Sequence, residues 1–200
     1  MVTGRRIAAA LATATLAITM AAAPALAASG RATLVGSVPS WATAANFKGA
    51  TSTSVSVGFR VYLGWNNESA AAALAAAVSD PKNTLYGHYL TPAQFRLRFA
   101  PTQAQIGAVQ AWLRSQGFTV DYTPSNNPYV AAEGTVGQAA AAFGTTFGNY
   151  SVRGLTVRSP ERPLTIPSSL AGSVVSVLGL DDSALFVHTN HISSDSVLPG

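Results

Sequence analysis

Two hundred residues, 48% hydrophobic and only 10% charged, suit one domain with extras rather than two full domains. The formal charge of +4 is spread over scattered arginines and lysines with no basic run, so a nucleic-acid footprint is excluded. The absence of cysteine rules out disulfides and cysteine-ligated metals, and leaves an ordinary hydrophobic core as the means of folding.

Residues 1–27 carry Arg5-Arg6, an apolar run over 7–22 and then Pro24-Ala25-Leu26-Ala27. A basic stretch, an apolar stretch and a small-x-small end form the layout of a secretory signal peptide, with cleavage expected after Ala27. A membrane anchor fits less well, because the run is short and Ala/Thr-rich for a span of about 20 strongly apolar residues. Secretion to the extracellular side, with no membrane association after cleavage, is the expectation. Arg5 and Arg6 leave with the signal, so ten basic residues then face eight acidic ones.

Residues 28–53 are rich in Ala, Ser, Thr and Gly, with Pro39, Trp41 and Phe47 as isolated anchors, and read as an extended N-terminal arm. Residues 54–63 (SVSVGFRVYL) alternate, with Val55, Val57, Phe59, Val61 and Leu63 on one face, which predicts a half-buried strand. Asn66 or Asn67 caps a helix over 68–78 that begins with Glu68 and stops at Asp80-Pro81. Thr91 and Pro92 open a short helical turn, and Thr102 caps a longer helix in which Ile106, Val109, Trp112 and Leu113 fall at helical spacing before Gly117. Residues 118–122 predict a strand, 124–128 (PSNNP) a turn, and 129–132 another strand. Thr135 opens a third helix closed by Gly144; 147–152 and 155–158 flank Arg153-Gly154 as a hairpin. A helical turn at 167–170 and a buried strand at 174–180 follow, and 181–200 reads as tail. This order suits an α+β fold, an antiparallel sheet with helices packed on one face.

Chemistry-bearing groups are sparse. There is no Gly-x-Ser-x-Gly elbow, no phosphate loop with its lysine and no acidic calcium loop. His188 and His191 stand three apart, as two metal ligands on a helix would, but amid tail-like Ser, Asp and Asn with no acidic ligand at helical spacing; His88 between Tyr86 and Tyr89 reads as a packing residue beside a turn. Of the acids Glu68, Asp80, Asp121, Glu133, Glu161, Asp181, Asp182 and Asp195, only Asp181 and Asp182 adjoin, and sequence neighbours rarely converge on one substrate. The alanine-rich helices (70–77 and 139–142) read as ordinary helix with a thin apolar face, with a face that packs flat against a partner as the second reading. No residue is assigned a catalytic, cofactor-binding or metal-ligating role, and no cofactor is expected.

Residues 80–102 read DPKNTLYGHYLTPAQFRLRFAPT. Asp80-Pro81, Tyr86, Tyr89-Leu90-Thr91, Gln94-Phe95, Phe99-Ala100-Pro101-Thr102 and then Trp112-Leu113 and Gly117-Phe118 resemble the signature of the sedolisin-type (kumamolisin-like) activation prodomain. EGTVGQAAAAFGTTFGNY (133–150) and IPSSLAGSVVSVLGLDD (166–182) resemble two later blocks, so the likeness covers about 54–182. Trp65-Asn66 stands where Arg-Asn is more usual in the family, and Lys82-Asn83-Thr84 where Ser-Pro is common.

That resemblance implies a ferredoxin-like, subtilisin-prodomain-like half-sandwich over 54–182, followed by a linker over 183–200. It implies a propeptide that helps a serine-carboxyl peptidase domain to fold and holds it inactive until acid releases it. The partner, in cis or in trans, would be a sedolisin-type catalytic domain, whose Ser, Glu, Asp, oxyanion Asp and calcium site have no counterpart among these residues. Two other readings stay open: the front part of an active acid endopeptidase, and a stand-alone secreted binding module.

Overall fold

A computed structural model describes residues 30–125 and 128–186. The expected signal peptide, residues 28–29 of the arm, residues 126–127 of the expected turn, and the tail from 187 with His188, His191 and Asp195 lie outside the described residues. The strands are β1 (Arg31–Thr33), β2 (Phe47–Ala50), β3 (Ser56–Leu63), β4 (Thr119–Tyr122), β5 (Tyr129–Thr135), β6 (Phe147–Val152), β7 (Leu155–Pro160), β8 (Thr165–Pro167) and β9 (Val174–Leu178). The helices are α1 (Glu68–Ser79), α2 (Pro92–Phe99), α3 (Gln103–Ser115) and α4 (Val136–Phe143).

The strands form a four-stranded sheet in the order β4-β5-β3-β9, a three-stranded sheet β2-β6-β7 and the pair β1-β8, with every pairing antiparallel. The run β3-α3-β4-β5-α4-β9 with that strand order is the ferredoxin-like arrangement, so the α+β expectation holds. Helices α1 and α2 interrupt it between β3 and α3, and β6, β7 and β8 interrupt it between α4 and β9.

Alternation along β3 explains the centre. Val57, Phe59, Val61 and Leu63 are buried, as are their β5 neighbours Val130 and Ala132 and Val174 and Val177 of β9. Over them lie Ile106, Val109 and Leu113 of α3 and Val136, Ala139, Ala142 and Phe143 of α4, each set at helical spacing. Phe59 meets Phe118 and Phe143 edge-on, with ring centroids 4.9 and 5.5 Å away, and Trp112 meets Phe143 at 5.4 Å. The alanines of α4 let it sit close to the sheet. In α1 only Ala71 of the alanine run is buried.

Helix ends follow the sequence rules closely. Thr91, Thr102 and Thr135 each form a reciprocal capping box with the glutamine three residues on. Asn67, at φ 58°, caps α1 by accepting from the Ala70 amide at 3.3 Å. The turn expected at Thr91 grows into the full helix α2, because Phe95 and Phe99 stack one turn apart (5.1 Å) and Trp65 meets Phe95 at 5.2 Å.

The segment read as an arm contributes strands to both smaller sheets. β1 pairs with β8, and Arg31 reaches the carbonyls of Ala142 and Thr165, so it closes the C-terminal end of α4. β2 pairs with β6, and Trp41 and Phe47 both stack edge-on against Tyr150. This pairing is non-local, which is why local pattern alone read the segment as extended.

Two outcomes follow. Phe143→Ala removes the ring shared by Phe59, Phe118 and Trp112, and should cost about 3–5 kcal/mol in chemical denaturation. Burial first, and Glu161 second, raise the Tyr150 hydroxyl above its ordinary value. The unfolded chain therefore ionises first, and stability that is complete below the ordinary tyrosine range declines as pH rises through it. Tyr150→Phe should flatten the loss of melting temperature above about pH 10.

Candidate docking face

The same alternation that fills the core with Phe59 and Val61 sends Gly58, Arg60 and Tyr62 to the other side of the four-stranded sheet. Register sets Gly58 beside Glu133, Arg60 between Ala131 and Leu178, and Tyr62 between Tyr129 and Ser176. A register shift in β4 between Val120 and Tyr122 places Tyr122 opposite Ala131.

Tyr62 and Tyr129 rings lie 5.3 Å apart, Tyr122 is 6.4 Å from Tyr129, and the Arg60 guanidinium sits 5.3 Å from the Tyr129 ring. Tyr122 remains 58% exposed and Leu178 54%, which for large apolar groups on one sheet face marks an unpartnered surface. A trough of about 500 Å³ crosses the face, floored by Gly58 and Ala131 and rimmed by Arg60, Asp121, Glu133 and Leu178. A second, of about 420 Å³, continues over Ser56, Thr119 and Thr135. Small residues in the middle and long ones at the rim allow close approach by a convex partner.

A smaller apolar groove, about 200 Å³, lies on the α1–α2 excursion between Ala71, Leu74 and Val78 on one side and Tyr89 and Phe95 on the other. Trp65, Leu85, Tyr86, Tyr89 and Leu97 are exposed on the same excursion. Most of the residues from Asp80 to Thr102 that carry the family resemblance are on this excursion.

The titratable groups singled out in the sequence do not assemble. His88 is exposed in the turn before α2, its amide bonded to the Leu85 carbonyl at 3.0 Å. Asp80 accepts from the Lys82 amide at 2.9 Å as a turn residue, and Glu68 opens α1. Glu161 accepts from the Thr146 hydroxyl at 3.0 Å. Asp181 and Asp182 part: Asp181 accepts from the Ser183 amide at 2.7 Å, while Asp182 pairs with Arg158 at 3.0 Å, the one salt bridge among the described residues. Only Glu133 and Asp121 reach the trough. Among the described residues no cluster of three or more His, Cys, Asp or Glu could hold a metal, and no helix is long and apolar enough to cross a membrane.

Sequence reasoning singled out individual side chains and missed the face. The available signal was the outward half of the alternation: tyrosine, alanine and leucine stand at several positions where a solvated sheet face carries charge. Reading it required the strand order, since Tyr62, Tyr129 and Leu178 come from three distant segments.

Comparison with known proteins identifies the family. The family model described as pro-kumamolisin, activation domain, matches residues 43–183. Xanthomonalisin of Xanthomonas sp. (strain T-22) is 36% identical over 142 residues, 70% of this chain and 17% of its own. Sedolisin of Pseudomonas sp. (strain 101) is 37% identical over 122 residues, 61% of this chain and 21% of its own. Tripeptidyl-peptidase sed1 of Aspergillus fumigatus is 29% identical over 83 residues, 40% of this chain and 13% of its own. The chain thus spans about a fifth or less of each of these relatives. With its ferredoxin-like core, its signature segment at 80–102 and a family match over 43–183, this chain belongs to the pro-kumamolisin activation domain family, the prodomain of sedolisin-type peptidases.

Proposed function

We propose that this chain is the propeptide of a secreted serine-carboxyl endopeptidase, acting as folding chaperone and inhibitor of the catalytic domain through the outer face of its four-stranded sheet. The observation that carries the reading is the open face itself, with Tyr62 and Leu178 lining the trough over Gly58 and Ala131 and the Tyr129 and Tyr122 rings continuing from Tyr62. A sheet is stable as one layer of a sandwich, and the layer missing on this side would come from the partner. A domain that binds only the native peptidase stabilises it by mass action, so chaperoning and inhibition arise from the same contact. Export rests on the signal-peptide layout of residues 1–27. That relatives extend far beyond the matched region supports the companion reading, in which the chain is the front of an active acid endopeptidase.

The test mixes the purified 200-residue chain with a sedolisin-type peptidase at neutral and acid pH. Inhibition at neutral pH that weakens in acid is expected; no inhibition at either pH sinks the proposal. Tyr62→Ala with Leu178→Asp should weaken inhibition by about thirtyfold or more, as loss of a buried anchor at an interface does, without unfolding the chain.

Acid release needs carboxylates whose charged form the complex favours. Affinity from such a group is present above the ordinary carboxylate range and lost as pH falls through the bound-state value. Glu133 and Asp121 are the acids placed on the trough. Glu133→Gln should therefore flatten the acid dependence of the inhibition constant, measured from neutral pH down to about pH 4.

A further inference from the structure

The chain after β9 does not simply leave the domain. Gly179, at φ +97°, turns it where an added Cβ would meet the Gly58 carbonyl oxygen at 2.8 Å, so only glycine fits. Leu180 is buried. Arg158 of β7 then grips the next residues four times over. Its amide donates to Asp182 Oδ2 at 2.7 Å and its Nη2 to Asp182 Oδ1 at 3.0 Å. Its Nε donates to the Leu180 carbonyl at 3.1 Å, and its own carbonyl accepts from the Asp182 amide at 3.0 Å.

Beyond this clamp, residues Ser183–Phe186 wind into a 3-10 turn, with the Ser183 amide on Asp181 Oδ1 and the Leu185 amide on the Asp182 carbonyl. Phe186 ends the segment in a ring contact with Trp41, 5.8 Å and 75°, under the Arg153 guanidinium at 5.6 Å. One segment from the last strand of the large sheet is thus fastened to the three-stranded sheet and to the turn that bears Trp41.

We propose that residues 180–186 form a latch that shields their own peptide bonds from proteolysis until it opens. A protease takes its substrate as an extended strand lying along the cleft, backbone groups free to pair. A 3-10 turn whose Ser183 and Leu185 amides are already paired, which follows a clamped Asp182, and whose end is held by an aromatic ring, cannot be presented that way. Cleavage, in which water adds across a peptide bond to leave a new carboxyl and a new amino terminus, therefore requires local opening first. Arg158 and Trp41 act as positioning residues for this segment. The latch borders the outer sheet face, since Ala184 lines its trough, but the test below needs no peptidase bound there, so a failure of inhibition leaves it standing.

Hydrogen–deuterium exchange on the 200-residue chain, paired with limited digestion by thermolysin, tests it. The Asp182, Ser183 and Leu185 amides are expected to exchange well below free-peptide rates in the wild type. In Asp182→Asn and in Phe186→Ala they should exchange about tenfold faster, with cleavage within 181–186 faster by a similar factor, because a charge-assisted hydrogen bond or a packed ring has been lost. Amides of β3 and β5 should stay protected. Should Asp182→Asn expose β3 and β5 as well, Phe186→Ala, which leaves the clamp intact, decides alone. Free-peptide exchange rates in the wild type, or unchanged rates and cleavage in the folded variants, would overturn the latch.

Discussion

Two helices cover one face of a four-stranded sheet, and the other lies largely open, bordered among the described residues by the C-terminal turn at Ala184. That asymmetry originates in β3, which lies between β5 and β9 and alternates strictly between the two sides. Its inward residues pack under α3 and α4, with Phe59 meeting Phe118, just after α3, and Phe143 of α4. Its outward residues meet Tyr129, Ala131 and Leu178 and then open space. A slip of one residue would exchange the two sets, so the packing that makes the core also determines what the open face presents.

The insertions elaborate this plan without closing it. The excursion of α1 and α2 hangs from the end of β3 by Trp65, Phe95 and Phe99 and exposes much of its apolar surface. The three-stranded sheet, by contrast, is bound into the body from both ends of the described chain. Early residues supply Trp41 and Phe47; late residues supply Asp182 and Phe186. Trp41, between Tyr150 and Phe186, is where early and late described residues meet the middle of the chain.

Most single elements were legible because their signals are local. The alternation in 54–63, the threonine caps with glutamine three residues on, the Gly144 stop at φ +65° and the Arg153-Gly154 hairpin turn are each decided within a few residues. The α+β class followed from their order. The pairing of 31–33 with 165–167 was not legible, because strands of three residues carry no usable period and their partners lie some 130 residues apart. The short turn expected at Thr91 became a full helix for a similar reason: its stabilising ring, Trp65, sits on another segment.

For the candidate site the division is sharper. The sequence by itself determined which residues alternate, where helices begin, that no cysteine chemistry is possible and that residues 80–102 carry a family signature, since all of these are properties of short windows. Tertiary structure alone decided that Tyr62, Tyr122, Tyr129 and Leu178 share one exposed face, and that Asp182 binds Arg158 while Asp181 turns away. Those facts depend on strand order and register, and register is set by burial of the opposite face, which only the folded chain provides.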